Sequence, residues 1–179
     1  MILVTGLPRS GTSLLMALLQ AGGVRVLSDD RRPPDQHNPR GYFEHQAVLD
    51  LAADASWLWK LEGQAVKILS RQMEFVPPQL PARVLLLERD LVEVSQSQQR
   101  MLGQPSPDLD WPIILQKELR RLKGWLARQS WPLLLVQHRR LLQEPEQVGA
   151  ELQDFLNFPL DLKAMAAQVD LNLYRNRAC

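Results

Sequence analysis

The chain opens with MILVTGLPRSGTSLLMALLQAGG, residues 1–23, and this stretch decides the fold. Residues 2–5 are apolar and β-branched, as in a buried parallel strand. Residues 11–20 have the apolar pattern of a buried helix, which a pair of glycines then ends. A strand, a glycine-rich turn and a helix in this order point backbone N–H groups at an anion. The stretch therefore predicts an anion-binding loop at GLPRSGTS, residues 6–13.

This loop differs from the nucleoside triphosphate loop G-x-x-x-x-G-K-[ST] at one position. Gly6 and Gly11 have the spacing of that motif, and Ser13 occupies its Ser/Thr position. Thr12, however, stands where the motif has the lysine that reaches the β- and γ-phosphates. The cation lies inside the loop instead, at Arg9, whose forked N–H donors match the oxygens of a tetrahedral anion. We therefore expect a shorter anion than a triphosphate; the alternative is a tight turn with a surface arginine.

Strands and helices alternate along the rest of the chain. Apolar runs predict strands at residues 65–69, 83–88 and 132–137. Helical periodicity predicts helices at residues 44–58, 91–102 and 110–128, and another from Pro145 onward. This alternation predicts an α/β fold in which helices flank a parallel sheet on both faces. With 179 residues, no linker and no internal repeat, residues 1–179 are expected to form a single domain.

Composition and charge argue against several classes of function. The net charge of +1 favours neither nucleic acid nor an anionic membrane as a partner. The apolar residues after the loop are too few and too interrupted to span a bilayer. A lone cysteine, Cys179, forms no disulfide within the chain, and no signal peptide is evident, so we expect a cytoplasmic protein. One cysteine and three scattered histidines provide no zinc-binding pattern, and we expect no metal.

Two motifs resemble those of sulfotransferases, enzymes that use 3′-phosphoadenosine 5′-phosphosulfate (PAPS) and have a three-layer, P-loop NTPase-like fold. PRSGTS after an N-terminal strand is similar to the family's 5′-phosphosulfate loop. In the family, a strand also ends in an arginine that binds the 3′-phosphate together with a serine eight residues later; VLLLERDLVEVSQS supplies Arg89 and Ser97. Bacterial members have segments similar to NPRGYFE (residues 38–44), residues 136–161 and LYRNR (residues 173–177).

The resemblance implies a role for each residue of these motifs. Arg9 would contact the phosphosulfate, and Arg89 with Ser97 would bind the 3′-phosphate. The 5′-phosphate would be held by the backbone N–H groups of the loop residues Ser10, Gly11, Thr12 and Ser13 and by the hydroxyls of Thr12 and Ser13. Independently of the resemblance, an arginine that follows a central strand lies at the crevice where α/β sheets bind ligands. The alternative for Arg89 is an ion pair with Asp90 or Glu93.

Lys67 is the second candidate cation. It matches a family lysine that contacts the bridging oxygen or the transferred sulfuryl group. An ammonium group among apolar strand residues is unfavourable unless it meets an anion or lies near a strand end. The alternative is a lysine that extends to solvent from an edge strand.

The candidates for the general base are Glu44, His45 and His37. Branches of the family that act on proteins and sugars use a glutamate, and we favour Glu44. Tyr42 and Phe43 precede it and are expected to exclude water, and the helix predicted at residues 44–58 would hold it rigidly. The alternative is a glutamate favoured at a helix start by the macrodipole. His138 follows a strand, has no predicted partner and is interpreted as structural.

These features predict a PAPS-dependent sulfotransferase that acts on a hydroxyl or amine of a small-molecule or carbohydrate acceptor. One alternative is a non-catalytic module that binds PAPS or its product, 3′-phosphoadenosine 5′-phosphate (PAP), because the chain is shorter than many family members. The other is a small-molecule kinase, which Thr12 disfavours. The acceptor pocket is expected within residues 28–59 and 103–111, where Trp57, Trp59 and Trp111 are candidate lining residues. The acceptor's identity and the oligomeric state stay open.

Overall fold

The computed structural model describes residues 1–29, 31–36, 38–103 and 110–174. One parallel sheet contains five strands in the order β2-β3-β1-β4-β5. The strands are β1 (Ile2–Gly6), β2 (Arg25–Val26), β3 (Gln64–Lys67), β4 (Arg83–Glu88) and β5 (Leu133–Gln137). The α-helices are α1 (Thr12–Ala21), α2 (Gln46–Leu49), α3 (Leu91–Leu102), α4 (Trp111–Leu126), α5 (His138–Gln143), α6 (Pro145–Leu156) and α7 (Leu162–Ala166).

Both faces of the sheet are covered, so the molecule has three layers. Side chains of a strand alternate between the faces. On β4, Leu85 and Leu87 pack in one core with α1, α5, α6 and α7. Val84 and Leu86 pack in a second core on the other face, with α4 and with the segment that includes Leu58. The predicted α/β fold, with a parallel sheet between two helical layers, is confirmed.

The sheet brings the carboxyl ends of its central strands together. β1 lies between β3 and β4, with Val4 opposite Lys67 and Gly6 opposite Leu87. Parallel strands all end at the same edge of the sheet. The glycine-rich loop after β1, the end of β3 and the residues after β4 are therefore neighbours.

The helix predicted at residues 44–58 is wrong in extent. Phe43 has a left-handed φ of +51°, which no helix contains, and α2 begins only at Gln46. It ends after one turn, and a 3₁₀ helix covers Ser56–Lys60. The apolar side chains that suggested one long helix still pack on the sheet, but from a bent segment.

Short elements account for the other differences from the predicted fold. β2 has two residues, α5 has six and α7 has five, and none of them was predicted. Segments this short contain too few residues to show a hydrophobic period. No helix in the described residues has the length and hydrophobicity needed to cross a membrane.

Candidate functional site

A cavity of about 500 Å³ lies at the carboxyl edge of the sheet. A residue at or just beyond the end of each of four adjacent strands lines it. Arg9 follows β1, Lys67 ends β3, Arg89 follows β4 and His138 follows β5. This is where open α/β sheets bind ligands.

Most of the site residues predicted from the sequence line this cavity. Among its lining residues are Arg9, Gly11, Thr12, Ser13, Glu44, Lys67, Arg89 and Ser97. Of the nine residues assigned to nucleotide binding or catalysis, Ser10 alone does not line it. Six basic and two acidic side chains of the described residues face this space, so it favours an anionic ligand.

The loop after β1 is held in a tight conformation. Arg9 has a left-handed φ of +71°, which is unfavourable for a residue with a side chain. The Ser10 N–H donates to the carbonyl of Leu7 at 3.1 Å, so the amide of Ser10 is used to close the turn. The Ser10 hydroxyl is buried beneath the loop, close to Gly6, with no hydrogen-bond partner in the described residues. Ser10 therefore stabilises the loop conformation and does not line the cavity.

The N-terminus of α1 faces the cavity without a side-chain cap. The first N–H groups of a helix have no partner within the helix, and here they belong to residues that line the cavity. Gly11 precedes this helix with a φ of +102°. A Cβ atom on Gly11 would lie 2.5 Å from Cδ2 of His138, so only glycine fits between the loop and this ring. The N-terminus of α1 therefore has the features of an anion-binding helix end: no side-chain cap, and residues that line the cavity.

The two predicted anion-binding motifs contact each other directly. Nε of Arg9 donates a hydrogen bond to Oγ of Ser97 at 3.0 Å. Nearby, the amide of Gln98 donates to the carbonyl of Pro8 at 3.1 Å, which fixes the loop against α3. Burial lowers the pKa of the Arg9 guanidinium below its ordinary value.

Arg89 takes part in a buried ion pair and also lines the cavity. Its Nε lies 2.8 Å from Oε2 of Glu93, and both side chains are more than 90% buried. The other oxygen of Glu93 accepts a hydrogen bond from the Tyr174 hydroxyl. The Tyr174 ring lies 5.5 Å from the Arg89 guanidinium carbon, within the range of a cation–π contact. The ion pair considered as the alternative thus exists, and it orients Arg89 at the cavity wall.

Lys67 extends into the cavity from an inner strand. It is only 5% exposed, so it is not the solvent-directed lysine of an edge strand. Its Nζ donates to the carbonyl of Tyr42, lies 3.4 Å from Oγ of Ser13 and lies 3.3 Å from Oε1 of Glu44. Burial lowers the pKa of Lys67 to about 8, although the Glu44 carboxylate opposes this shift.

The structure corrects the predicted surroundings of Glu44. The carboxylate lies between two cations, Lys67 and Arg32, and its side chain is 37% exposed. The aromatic neighbours therefore do not enclose it: the Tyr42 ring is covered by Arg32, whose guanidinium carbon is 3.4 Å from the ring centroid. No helix holds Glu44, since α2 begins two residues later. Ion pairs position this carboxylate at the cavity instead.

His45, the second base candidate, lies outside the cavity. His45 caps α2 by accepting from the Ala47 N–H, stacks on Trp57 at 5.8 Å and does not line the cavity. His37 lies outside the described residues. The three candidate tryptophans, Trp57, Trp59 and Trp111, do not line the cavity.

Sequence reasoning missed several residues that line the cavity. His138, interpreted as structural, lies beside Gly11, and its ring contacts Tyr174 edge-on at 5.7 Å. Burial lowers the pKa of His138 to about 4, with a further contribution from nearby Arg89. The position of His138 directly after a predicted strand was the sequence signal that could have identified it as a cavity residue. Arg32, Arg40 and Tyr174 come from loops and a terminal segment that have no regular pattern to analyse.

Comparisons with known proteins identify the fold. No protein-family model matches the sequence, and no curated protein matches it either. Among solved structures, the sulfotransferase domain of the Synechococcus PCC 7002 olefin synthase is similar to this chain with a TM-score of 0.59 and 16% identity, covering 99% of this chain and 78% of that one.

Two further structures show the same likeness. The sulfotransferase domain from the curacin biosynthetic pathway has a TM-score of 0.55 and 14% identity, over 98% of this chain and 86% of that one. Sulfotransferase STF9 from Mycobacterium avium has a TM-score of 0.54 and 13% identity, over 99% of this chain and 68% of that one. In each case nearly the whole of this chain takes part in the superposition. The fold of this chain is that of the sulfotransferases.

Proposed function

We propose that this protein transfers the sulfuryl group of PAPS to a hydroxyl or amine of a small-molecule or carbohydrate acceptor, and that it acts in the cytoplasm. The observation that carries the proposal is the contact between the two anion motifs in a single cavity. The Arg9–Ser97 hydrogen bond joins a loop suited to a 5′-phosphosulfate with a helix suited to a 3′-phosphate. PAPS, which carries a 5′-phosphosulfate and a 3′-phosphate on one ribose, matches this pairing.

The residues present fit such a nucleotide. The uncapped N-terminus of α1 offers backbone N–H groups of Thr12 and Ser13 to the 5′-phosphate. Arg9 supplies a forked guanidinium at the same end, and Arg89 supplies another in the cavity that Ser97 also lines. Ser10 contributes by closing the turn, since its own amide bonds to Leu7.

The cofactor supplies an activated sulfuryl group when it is bound, and the protein's own residues supply position, charge and a proton acceptor. Glu44 would accept the proton of the acceptor hydroxyl, whose oxygen takes the sulfuryl group while PAP is the leaving group. Lys67 and Arg9 would stabilise the negative charge of that leaving group. Lys67 also holds Glu44 at 3.3 Å, so the base and one stabilising cation are positioned by the same contact.

The decisive experiment compares ligands and then measures turnover. PAP is expected to raise the melting temperature of the protein, because a ligand that binds only the native state stabilises it. ATP, with or without Mg²⁺, is expected to do so much less, because Thr12 replaces the lysine of the triphosphate loop. Equal shifts from both nucleotides, or a shift that requires Mg²⁺, would favour a kinase.

Turnover separates an enzyme from a binding module. With radiolabelled PAPS and a panel of sugars and small alcohols or amines, we expect transfer of label and release of PAP. Binding of PAP with neither transfer nor hydrolysis of PAPS would identify a non-catalytic module. This control is needed because the chain spans only 68–86% of the length of the three sulfotransferase structures it resembles.

A further inference from the structure

The outer edge of β5 has no partner strand among the described residues. β5 ends the strand order of the sheet in the described part of the chain. The Val84 N–H donates to the carbonyl of Pro132, which fixes the residues of this segment that face β4. Hydrogen-bonding direction alternates along a strand, so Leu134 and Val136 bond to β4. The N–H and C=O groups of Leu133 and Leu135 therefore face away from the sheet.

This edge is also apolar. Leu133 and Leu135 are 40% and 49% exposed, and both lie on the same face of the sheet. The strand reads LLLVQ and contains no charge and no proline. Proteins usually protect an exposed edge with charges, prolines, bulges or a covering segment, because unpaired apolar edges associate. Neither a charged residue nor a proline therefore protects the edge within β5.

We propose that β5 pairs with β5 of a second copy of this chain, antiparallel and about a two-fold axis at Leu135. In this register Leu135 lies opposite the partner subunit's Leu135, and Leu133 lies opposite the partner subunit's Gln137. The backbone groups of Leu135 face outward, so the two copies exchange a pair of N–H to C=O hydrogen bonds on the axis. Leu133 and Leu135 of both copies then share one face and cover each other from water.

A second copy fits this edge better than an unrelated partner, because the strand is complementary to itself. The outward-facing residues are spaced symmetrically about Leu135, as a two-fold interface requires. The interface contains no charged residue of β5 that would be placed against its own copy. The two-fold axis also reverses the strand direction, so the two cavities lie at opposite edges of the joined sheet. The inference is therefore independent of the proposed function.

The first test is the mass in solution, measured by light scattering on a sizing column over a range of protein concentrations. The wild-type chain is expected at twice its mass of 20.5 kDa. Leu135→Lys is expected to be monomeric, because it places two ammonium groups against each other on the axis. Leu49→Lys is the matched control: Leu49 is 66% exposed on α2, and its variant is expected to stay dimeric.

A second test checks the register. In a Cys179→Ser background, Leu135→Cys places two thiols at directly opposed positions, about 5.5 Å apart between Cα atoms, which a disulfide spans. Leu133→Cys places them four residues apart along the strands, roughly 14 Å, which a disulfide does not span. Mild oxidation is expected to cross-link the first variant and leave the second uncross-linked.

Several outcomes would overturn the proposal. A monomeric wild-type chain at all concentrations would do so, as would a Leu135→Lys variant that stays dimeric. Cross-linking of Leu133→Cys in preference to Leu135→Cys would show another interface. Circular dichroism melting of each variant establishes that its oligomeric state is that of a folded protein.

Discussion

Arg9 and Ser97 are 88 positions apart in the sequence, yet Nε of Arg9 donates a hydrogen bond to Oγ of Ser97 at 3.0 Å. Arg9 belongs to the loop after β1, and Ser97 belongs to the second turn of α3. Their contact joins the two halves of the cavity wall. It exists because β1 and β4 are neighbours in the sheet, so the segments that follow them emerge side by side.

Replacing Ser97 tests the link between these halves. Ser97→Ala is expected to weaken PAP binding about 10–100-fold, because a hydrogen bond to a charged group contributes about 1.5–3 kcal/mol. Titration calorimetry measures this loss. Ser95→Ala is the matched control, since Ser95 is also buried on α3 but does not line the cavity. Equal effects from both variants would mean that packing of α3, and not the Ser97 hydroxyl, is being measured.

Arg89 is expected to recognise the 3′-phosphate. Arg89→Ala should weaken PAP binding by about 2–4 kcal/mol, the range for removing one partner of a desolvated charge pair. Affinity for adenosine 5′-phosphosulfate, which lacks the 3′-phosphate, should hardly change. Calorimetry with both nucleotides gives the two losses, and equal losses would show that Arg89 is structural.

The Arg89–Glu93 ion pair requires a control for stability. Arg89→Ala alone removes the cation beside the buried Glu93 carboxylate, and removing one partner of a buried ion pair typically destabilises a protein by about 3–5 kcal/mol. The double variant Arg89→Gln with Glu93→Gln removes both charges and is expected to unfold closer to the wild-type temperature. If it has regained stability yet still does not distinguish PAP from adenosine 5′-phosphosulfate, the loss belongs to the missing guanidinium.

Glu44→Gln tests the proposed base. The substitution keeps the shape of the side chain and removes its basicity, so kcat is expected to fall about 10²–10⁴-fold. The Kd for PAP should stay nearly constant, because the base acts on the acceptor. His45→Asn should have little effect on kcat, since His45 caps α2 outside the cavity. A large fall in kcat for His45→Asn with little change for Glu44→Gln would assign the base to His45. If both variants stay fully active, the base is another residue.

The buried lysine makes stability depend on pH. The pKa of Lys67 in the folded chain is about 8, below its ordinary value of 10.5. Between these values the unfolded chain binds more protons than the folded one, so the free energy of unfolding should rise with pH in this window. Below pH 8 the buried charge opposes folding by up to about 3 kcal/mol.

Urea unfolding of the wild type and Lys67→Met from pH 7.5 to 10.5 measures this effect. Other titrating groups are common to both proteins, so the difference between the two curves isolates Lys67. We expect the wild type to gain stability relative to the variant as the pH rises through 8 and to level off near 10.5. Parallel curves would show that the ammonium is well solvated or fully compensated by Glu44.

Local patterns in the sequence were sufficient for the main elements and for the anion loop. Runs of apolar β-branched and leucine residues encode β1 and β4 directly, and the Gly6–Gly11 spacing encodes the turn between β1 and α1. The carboxyl-end rule for parallel sheets then placed Arg89 at a crevice. Where the pattern was broken, as at Phe43 with its left-handed backbone, the helix predicted from side-chain spacing alone was too long.

Tertiary structure decided how the charged groups meet. The sequence shows a lysine within an apolar strand predicted at residues 65–69. Only the packing of residues 42–44 against β3 places the Lys67 ammonium beside Glu44. His138 likewise becomes a cavity residue only because β5 ends beside the loop that contains Gly11. Short-range patterns determine secondary structure because they act through local backbone geometry and burial. Contacts between distant segments depend on the order of strands in the sheet, which no local pattern encodes.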